Sequence, residues 1–179
     1  MLFSIRELID AIIMIVVVGF IFMDIFKRHD TSAKEAFKFA CLVTAPAIIF
    51  HELAHKFAAM FFGLQATFNA AYTWLGIGVV LKFISPGLIF FVPAYVSIHG
   101  QATPGASGLI AFAGPALNLV LFVASWAILK KKKLKKKTFL ILYVTKQINL
   151  FLFIFNMLPL PFFDGLKVYQ GLFSLLKIM

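Results

Sequence analysis

The residues best suited to chemistry in this sequence stand in HELAH at 51–55, two histidines four positions apart with a glutamate directly after the first. On an α-helix, residues i and i+4 lie on the same face, so His51 and His55 can direct imidazole nitrogens at one metal ion. Zinc is commonly held by two histidines and one carboxylate, with a position left open for water. Such an ion lowers the pKa of the water, and Glu52 is the candidate general base that takes its proton. The motif therefore predicts a hydrolytic zinc site.

The motif leaves the third protein ligand to be found elsewhere in the chain. Of the seven acidic residues, only Glu52 and Asp164 lie beyond residue 35. Asp164 lies in the stretch NMLPLPFFDG, whose prolines break a helical pattern. Irregular backbone at membrane depth is tolerated only where it packs in protein or lines a watery cavity. Asp164 is therefore the favoured ligand, with His29 and His99 as alternatives. Hydrogen-bonded histidines on a helix face and an ordinary turn at Asp164 are the structural alternatives to a metal site.

The composition places this chemistry in a membrane. Hydrophobic residues make up 62% of the 179 residues and charged residues only 13%, with a mean hydropathy of +0.98. Soluble domains have about 45–50% apolar residues. A carboxylate deep in a bilayer costs at least about 2.5 kcal/mol, so it rarely stays there without a function. We expect an integral, multi-pass membrane protein in a prokaryotic cell membrane. The single cysteine excludes a disulfide framework within one chain.

The net charge of +10 is concentrated in one segment. Seven of the seventeen basic residues lie in KKKKLKKK at 130–137, between two apolar stretches. Such a run is typical of a cytoplasmic loop that touches anionic lipid. No folded domain accompanies it, so nucleic acid is not an expected partner.

Long apolar stretches predict the helices that carry the site. About 20 apolar residues suffice to span a bilayer. The predicted spans are 5–26, 36–62 (with a kink at Pro46), 107–129 and 138–158. Short strands are expected at 66–72 and 93–100, and a short amphipathic helix at 166–179. The apolar part of 74–98 is too short for two crossings and predicts a re-entrant hairpin.

These elements define the expected fold class. It is an all-α polytopic membrane protein with about four to six transmembrane helices and a small membrane-embedded β element. We expect a single membrane-embedded domain over 1–179, with its core at about 36–170.

Three motifs together resemble a known family. HELAH at 51–55, AGPALN at 113–118 and NMLPLPFFDG at 156–165 are similar, in order and spacing, to the site-2 protease family of intramembrane zinc metalloproteases. The resemblance covers residues 36 to about 170. The chain would be a short member, without a PDZ insert or a C-terminal regulatory domain. FFDGLK stands where LDGG is commoner, which leaves the aspartate intact and affects only the following turn.

The resemblance implies roles for particular residues. One zinc ion per chain would be held by His51, His55 and Asp164. Glu52 would activate water to cut a peptide bond, and Asn156 would steady the oxyanion or the substrate backbone.

Asn118 matches the asparagine of the family's Gly-Pro-x-x-Asn element. The resemblance leaves open whether it acts in catalysis or in helix packing. Gly114 and Pro115 of the same element would allow close helix contact.

The predicted activity is hydrolysis of a peptide bond within or near a transmembrane segment of a substrate protein. The expected partners are that substrate and the lipid bilayer. The segment must be unwound, and an edge strand such as Pro93–Ile98 could receive it by strand addition. A metal transporter with an intramembrane His/Glu site and an inactive binding protein of the same fold are the alternatives.

Two arguments about the orientation of the site in the membrane conflict. Basic residues flank the start of the second span and fill 130–137, and the positive-inside bias places both on the cytoplasmic side. That arrangement puts the catalytic end nearer the other face, whereas the family resemblance implies the cytoplasmic one.

Overall fold

Six helices and two strands make up the described part of the chain. The structure is a computed structural model that describes residues 2–27, 29–84, 93–131 and 133–176. The elements are α1 (Ile5–Phe26), α2 (Ala33–Phe61), β1 (Gln65–Ala70), α3 (Tyr72–Ile84), β2 (Ala94–His99), α4 (Pro104–Leu129), α5 (Lys136–Asn156) and α6 (Asp164–Leu176). Four of the helices, α1, α2, α4 and α5, are long and apolar enough to cross a membrane. The predicted fold class, helical with a small β element, is confirmed.

The start of α2 follows from local capping. α2 begins three residues earlier than predicted because Ser32 and Glu35 form a capping box, in which each side chain bonds the other residue's backbone N–H. The same box, made by Ser4 and Glu7, begins α1. Pro46 lies inside α2.

The predicted hairpin at 74–98 is described only in part. α3 has 13 residues, which is about 20 Å of helix and too short to cross a bilayer. β2 covers the end of the predicted hairpin. Residues 85–92, where its turn would lie, are outside the described residues.

One compact unit comprises residues 1–49 and 67–97, and its two strands pair in one sheet. The N–H of Ala71, just after β1, donates to the carbonyl of Pro93, just before β2, at 3.1 Å, so the strands run antiparallel. In such a pair every second residue turns its backbone groups toward the partner strand. This alternation leaves the N–H groups of Phe68 and Ala70 on the outer edge of β1.

Two buried carboxylates of α1 occupy this outer edge of β1. Glu7 accepts the Phe68 N–H at 2.8 Å, and Asp10 accepts the Ala70 N–H at 3.2 Å. Asp10 also accepts a hydrogen bond from the Tyr72 hydroxyl, which raises the pKa of that hydroxyl above its ordinary value. The acidic residues near the start of the first span are therefore structural acceptors that close one side of the sheet.

The second compact unit comprises residues 50–66 and 98–179. Within it, α4 packs against both α5 and α6. A Cβ added at Gly108 of α4 would lie 2.9 Å from the Cα of Gly171 of α6, so these helices touch through bare backbone. Close contact of this kind is typical of small residues between membrane helices. It holds α6, whose first residue is Asp164, firmly against α4.

Candidate metal centre

The later part of α2 brings the two histidines of HELAH to one point. The Nε2 atoms of His51 and His55 lie 3.0 Å apart, and both side chains are buried. Asp164, the first residue of α6, places its Oδ2 atom 3.1 Å from the Nε2 of His51 and 3.2 Å from that of His55. Three potential ligand atoms from two distant segments therefore converge within the second unit.

This donor set suits a zinc ion. Zinc bonds of about 2.0–2.1 Å in a tetrahedron separate neighbouring ligand atoms by about 3.3 Å. The three observed separations, 3.0, 3.1 and 3.2 Å, are close to that value. Two imidazole nitrogens and one carboxylate oxygen leave one tetrahedral position for water or substrate. Among the residues that the structure describes, these three form the only group of His, Cys, Asp or Glu with such convergence.

The second ring nitrogen of each histidine has its own acceptor. The Nδ1 of His51 lies 2.5 Å from the Oδ1 of Asn118, and the Nδ1 of His55 lies 2.8 Å from the carbonyl oxygen of Ile110. A carbonyl oxygen only accepts, so each Nδ1 carries the hydrogen. In the neutral imidazole, each Nε2 then has the lone pair and directs it at the converging point. Hydrogen bonds at the ring nitrogen that does not bind the metal orient metal-binding histidines and make them stronger ligands.

The third potential ligand atom is a carboxylate oxygen of Asp164, whose side chain is 23% exposed. An ionised carboxylate is the form that binds a metal ion.

Glu52 lies beside the ligand group without belonging to it. It is buried and lies close enough to both imidazoles and to Asp164 to interact with them electrostatically. A buried carboxylate next to a candidate metal position suits proton transfer to and from water.

Gly114 of α4 faces the same point. A Cβ added there would overlap the Nε2 of His55 and would lie 2.7 Å from the Nε2 of His51. Only glycine leaves room for these ligand atoms. The sequence suggested close helix contact as the reason for this glycine. The structure gives a more specific reason, which is the space needed by the two imidazoles.

The other predicted site residues do not lie together in the structure. Asn118 is fully buried against His51. Asn156 ends α5, and its amide donates to the carbonyl of Leu152 at 3.0 Å. His99 ends β2 and His29 follows α1; both are exposed, and neither belongs to the ligand group found among the described residues.

Two groups at the centre were not predicted from the sequence. The carbonyl of Ile110 carries no signal, because every residue has one. Asn149 of α5, which bonds Asn118, had a weak signal as a polar residue in an apolar span. It lay beside Lys146 and Gln147, and none of the three had a feature that separated it from an ordinary polar position.

The comparisons with known proteins give one informative match. No protein-family model matches the chain, and no solved structure matches it. A Methanocaldococcus jannaschii protein named "Putative zinc metalloprotease MJ0611" is 34% identical over 174 residues, which cover 94% of this chain and 85% of that protein.

Proposed function

Because this chain belongs to the zinc metalloprotease family of its Methanocaldococcus jannaschii relative, we propose that it is an intramembrane protease of the site-2 type. It would hydrolyse a peptide bond within or near a transmembrane segment of a substrate protein, in the cell membrane of a prokaryote. The substrate protein and the lipid bilayer are its proposed partners.

One observation carries the proposal. The buried His51 and His55, with Glu52 beside them, lie on a helix that is apolar and long enough to span a membrane, and Asp164 of α6 completes the metal-binding group. Ionisable residues within such helices are expensive and usually functional. Membership of a zinc metalloprotease family, and a metal-binding group on a helix that could span a membrane, together favour proteolysis inside the membrane.

The residues have separate roles in this reaction. When bound, zinc supplies Lewis-acid chemistry, polarising water and the substrate carbonyl. Glu52 takes a proton from the attacking water and returns it to the leaving amine. Asn156 donates an amide N–H to the oxygen on which negative charge develops, which requires the N–H not bonded to Leu152.

The sheet suggests how an unwound substrate is received. The outer edge of β1 is closed by Glu7 and Asp10, so an added strand would pair with β2. The alternation that turns odd-numbered residues of β2 toward β1 directs the N–H of Val96 outward. Val96→Pro removes that N–H without loss of a bond to β1, and should reduce cleavage while zinc content is unchanged. Val96→Ile is the matched control, and equal cleavage by the two variants would contradict strand addition.

The test of the proposed function changes the base alone. Glu52→Gln should keep stoichiometric zinc in detergent-purified protein and abolish cleavage of a co-expressed transmembrane substrate. Glu35→Gln makes the same change at an exposed position of α2, where glutamine can still cap the helix; it should cleave normally.

The possible results distinguish the alternatives. Full activity of Glu52→Gln would overturn the protease mechanism. Zinc uptake into vesicles that contain the wild-type protein, without cleavage, would indicate a transporter. Zinc binding with neither activity would indicate an inactive binding protein.

A further inference from the structure

A chain of three hydrogen bonds leads from His51 to α5. The Nδ1 of His51 bonds the Oδ1 of Asn118 at 2.5 Å, and the Nδ2 of Asn118 bonds the Oδ1 of Asn149 at 2.8 Å. The Nδ2 of Asn149 bonds the carbonyl oxygen of Thr145 at 2.8 Å. All these residues belong to the second unit, and both asparagines are 0% exposed.

The direction of every bond in this chain follows from its last member. The carbonyl of Thr145 can only accept, so Asn149 must turn its NH₂ group toward it. The Oδ1 of Asn149 then faces Asn118 and accepts the NH₂ of that residue. The Oδ1 of Asn118 is left facing His51, where it accepts the hydrogen on Nδ1. In the neutral imidazole, the lone pair of His51 is consequently on Nε2, the atom beside Asp164.

The place of Asn149 in α5 supports a specific role. α5 is described over all 21 of its residues, and Asn149 is the only one that is buried. The rest of the helix is at least partly exposed and mostly apolar, as expected of a helix that faces lipid. A polar side chain buried among apolar neighbours is costly unless its hydrogen bonds are made. Here one bond is made to the carbonyl of Thr145 in the same helix, and the other leads through Asn118 to the metal centre.

We propose that Asn149 is a positioning residue for the metal ligand His51. It holds the amide of Asn118 in the one orientation that keeps the hydrogen of His51 on Nδ1 and its Nε2 free to bind. An amide turned by 180° would present its NH₂ group to Nδ1 and favour the hydrogen on Nε2, which cannot then bind a metal. The inference rests on the proposed function only for the identity of the metal as zinc.

A double-mutant cycle on zinc affinity tests this role. Asn118→Ala, Asn149→Leu and the double variant are purified as full chains, and zinc affinity is measured by competition with a chromogenic chelator. Loss of a group behind a metal ligand typically costs 10–100-fold in metal affinity. Asn149→Leu should show a loss of that size, and should cause no further loss once Asn118 is alanine, because it acts through that residue.

Two controls and one spectrum separate positioning from packing. Gln147→Leu, at an exposed position of α5, and Ser125→Ala, at a buried position of α4, should leave zinc affinity unchanged. The Co²⁺ absorption spectrum of Asn149→Leu should resemble that of Asn118→Ala. Asn149→Ala is a second variant, because an alanine side chain fits this position without steric overlap. Its zinc affinity should fall as that of Asn149→Leu does.

Several results would overturn the inference. Unchanged zinc affinity in both Asn149 variants would do so, as would losses that simply add in the double variant. Either result, with wild-type protein that binds one zinc ion and cleaves, would leave the proposed function intact. A wild-type protein that binds no zinc would instead overturn the proposed function.

Discussion

A side chain at position 114 has no room beside His51, because an ideal Cβ on Gly114 lies 2.7 Å from the Nε2 of that histidine. This contact joins two motifs, because Gly114 and His51 are 63 residues apart in the sequence. α4 reaches the ligand group as bare backbone at Gly114 and supplies acceptors at Ile110 and Asn118, on either side of it. α4 is therefore as much a part of the centre as α2.

The first prediction tests this contact. Gly114→Ala should lower zinc affinity by at least tenfold, because the new methyl group displaces the ligand nitrogens. Changes in the groups around metal ligands typically cost about 10–100-fold in metal affinity. Zinc content after dialysis against a chelator measures it. Gly76→Ala is the matched control, since a Cβ there meets nothing within 4 Å. Equal zinc content in the two variants would show that the helices shift to admit the methyl group.

The second prediction concerns the third ligand. Asp164→Ala should lose stoichiometric zinc, because it removes one of three converging ligand atoms. His99→Ala should retain zinc, since His99 is exposed and outside that group. Metal analysis of both purified variants decides the matter. The opposite pattern would make His99 the ligand.

The third prediction concerns Asn156. Asn156→Ala should lower turnover by about 100- to 1,000-fold, because an oxyanion donor acts on the transition state, and should leave zinc affinity unchanged. Turnover of a purified substrate and chelator competition measure the two quantities. Gln147→Ala, an exposed amide on the same helix, should change neither. Unchanged turnover in Asn156→Ala would limit its role to the bond with Leu152.

The fourth prediction concerns the closed edge of the sheet. Asp10→Ala leaves the buried N–H of Ala70 without this acceptor, which should lower the free energy of unfolding by about 1–3 kcal/mol. Unfolding in mixed micelles with rising SDS measures it. Asp30→Ala removes an exposed carboxylate and should have almost no effect. Equal losses in the two variants would show that Asp10 does not support the strand.

The fifth prediction concerns orientation. Single cysteines in a Cys41→Ser background are probed on intact cells with an impermeant thiol reagent. Gln65→Cys and Thr103→Cys should be labelled, whereas Thr31→Cys and Leu134→Cys should be protected. The reason is that α2 crosses once, α3 is too short to cross, and the lysine-rich loop stays inside. Labelling at 134 with protection at 103 would reverse the topology.

Much of the fold could be predicted from the sequence because its signals are local. The four long helices appear within three residues of their predicted ends, since twenty consecutive apolar residues have few other stable states in a membrane. The capping residues Ser32 and Thr103 lie directly before their helices, which begin three residues earlier than predicted in both cases. The two short strands were also expected, although neither their antiparallel pairing nor the closure of β1 by Glu7 and Asp10 was.

The sequence by itself determined that His51 and His55 share one helix face, because the period of an α-helix is local. It also singled out Asp164, as the only late carboxylate besides Glu52. Only the tertiary structure decided that Asp164, 113 residues from His51, lies within 3.1 Å of it. Only the packing of α4 against α5 decided that Asn149 fixes the orientation of the Asn118 amide. Such contacts depend on which faces of distant helices meet, and that choice is made by the fit of many side chains at once rather than by any short pattern.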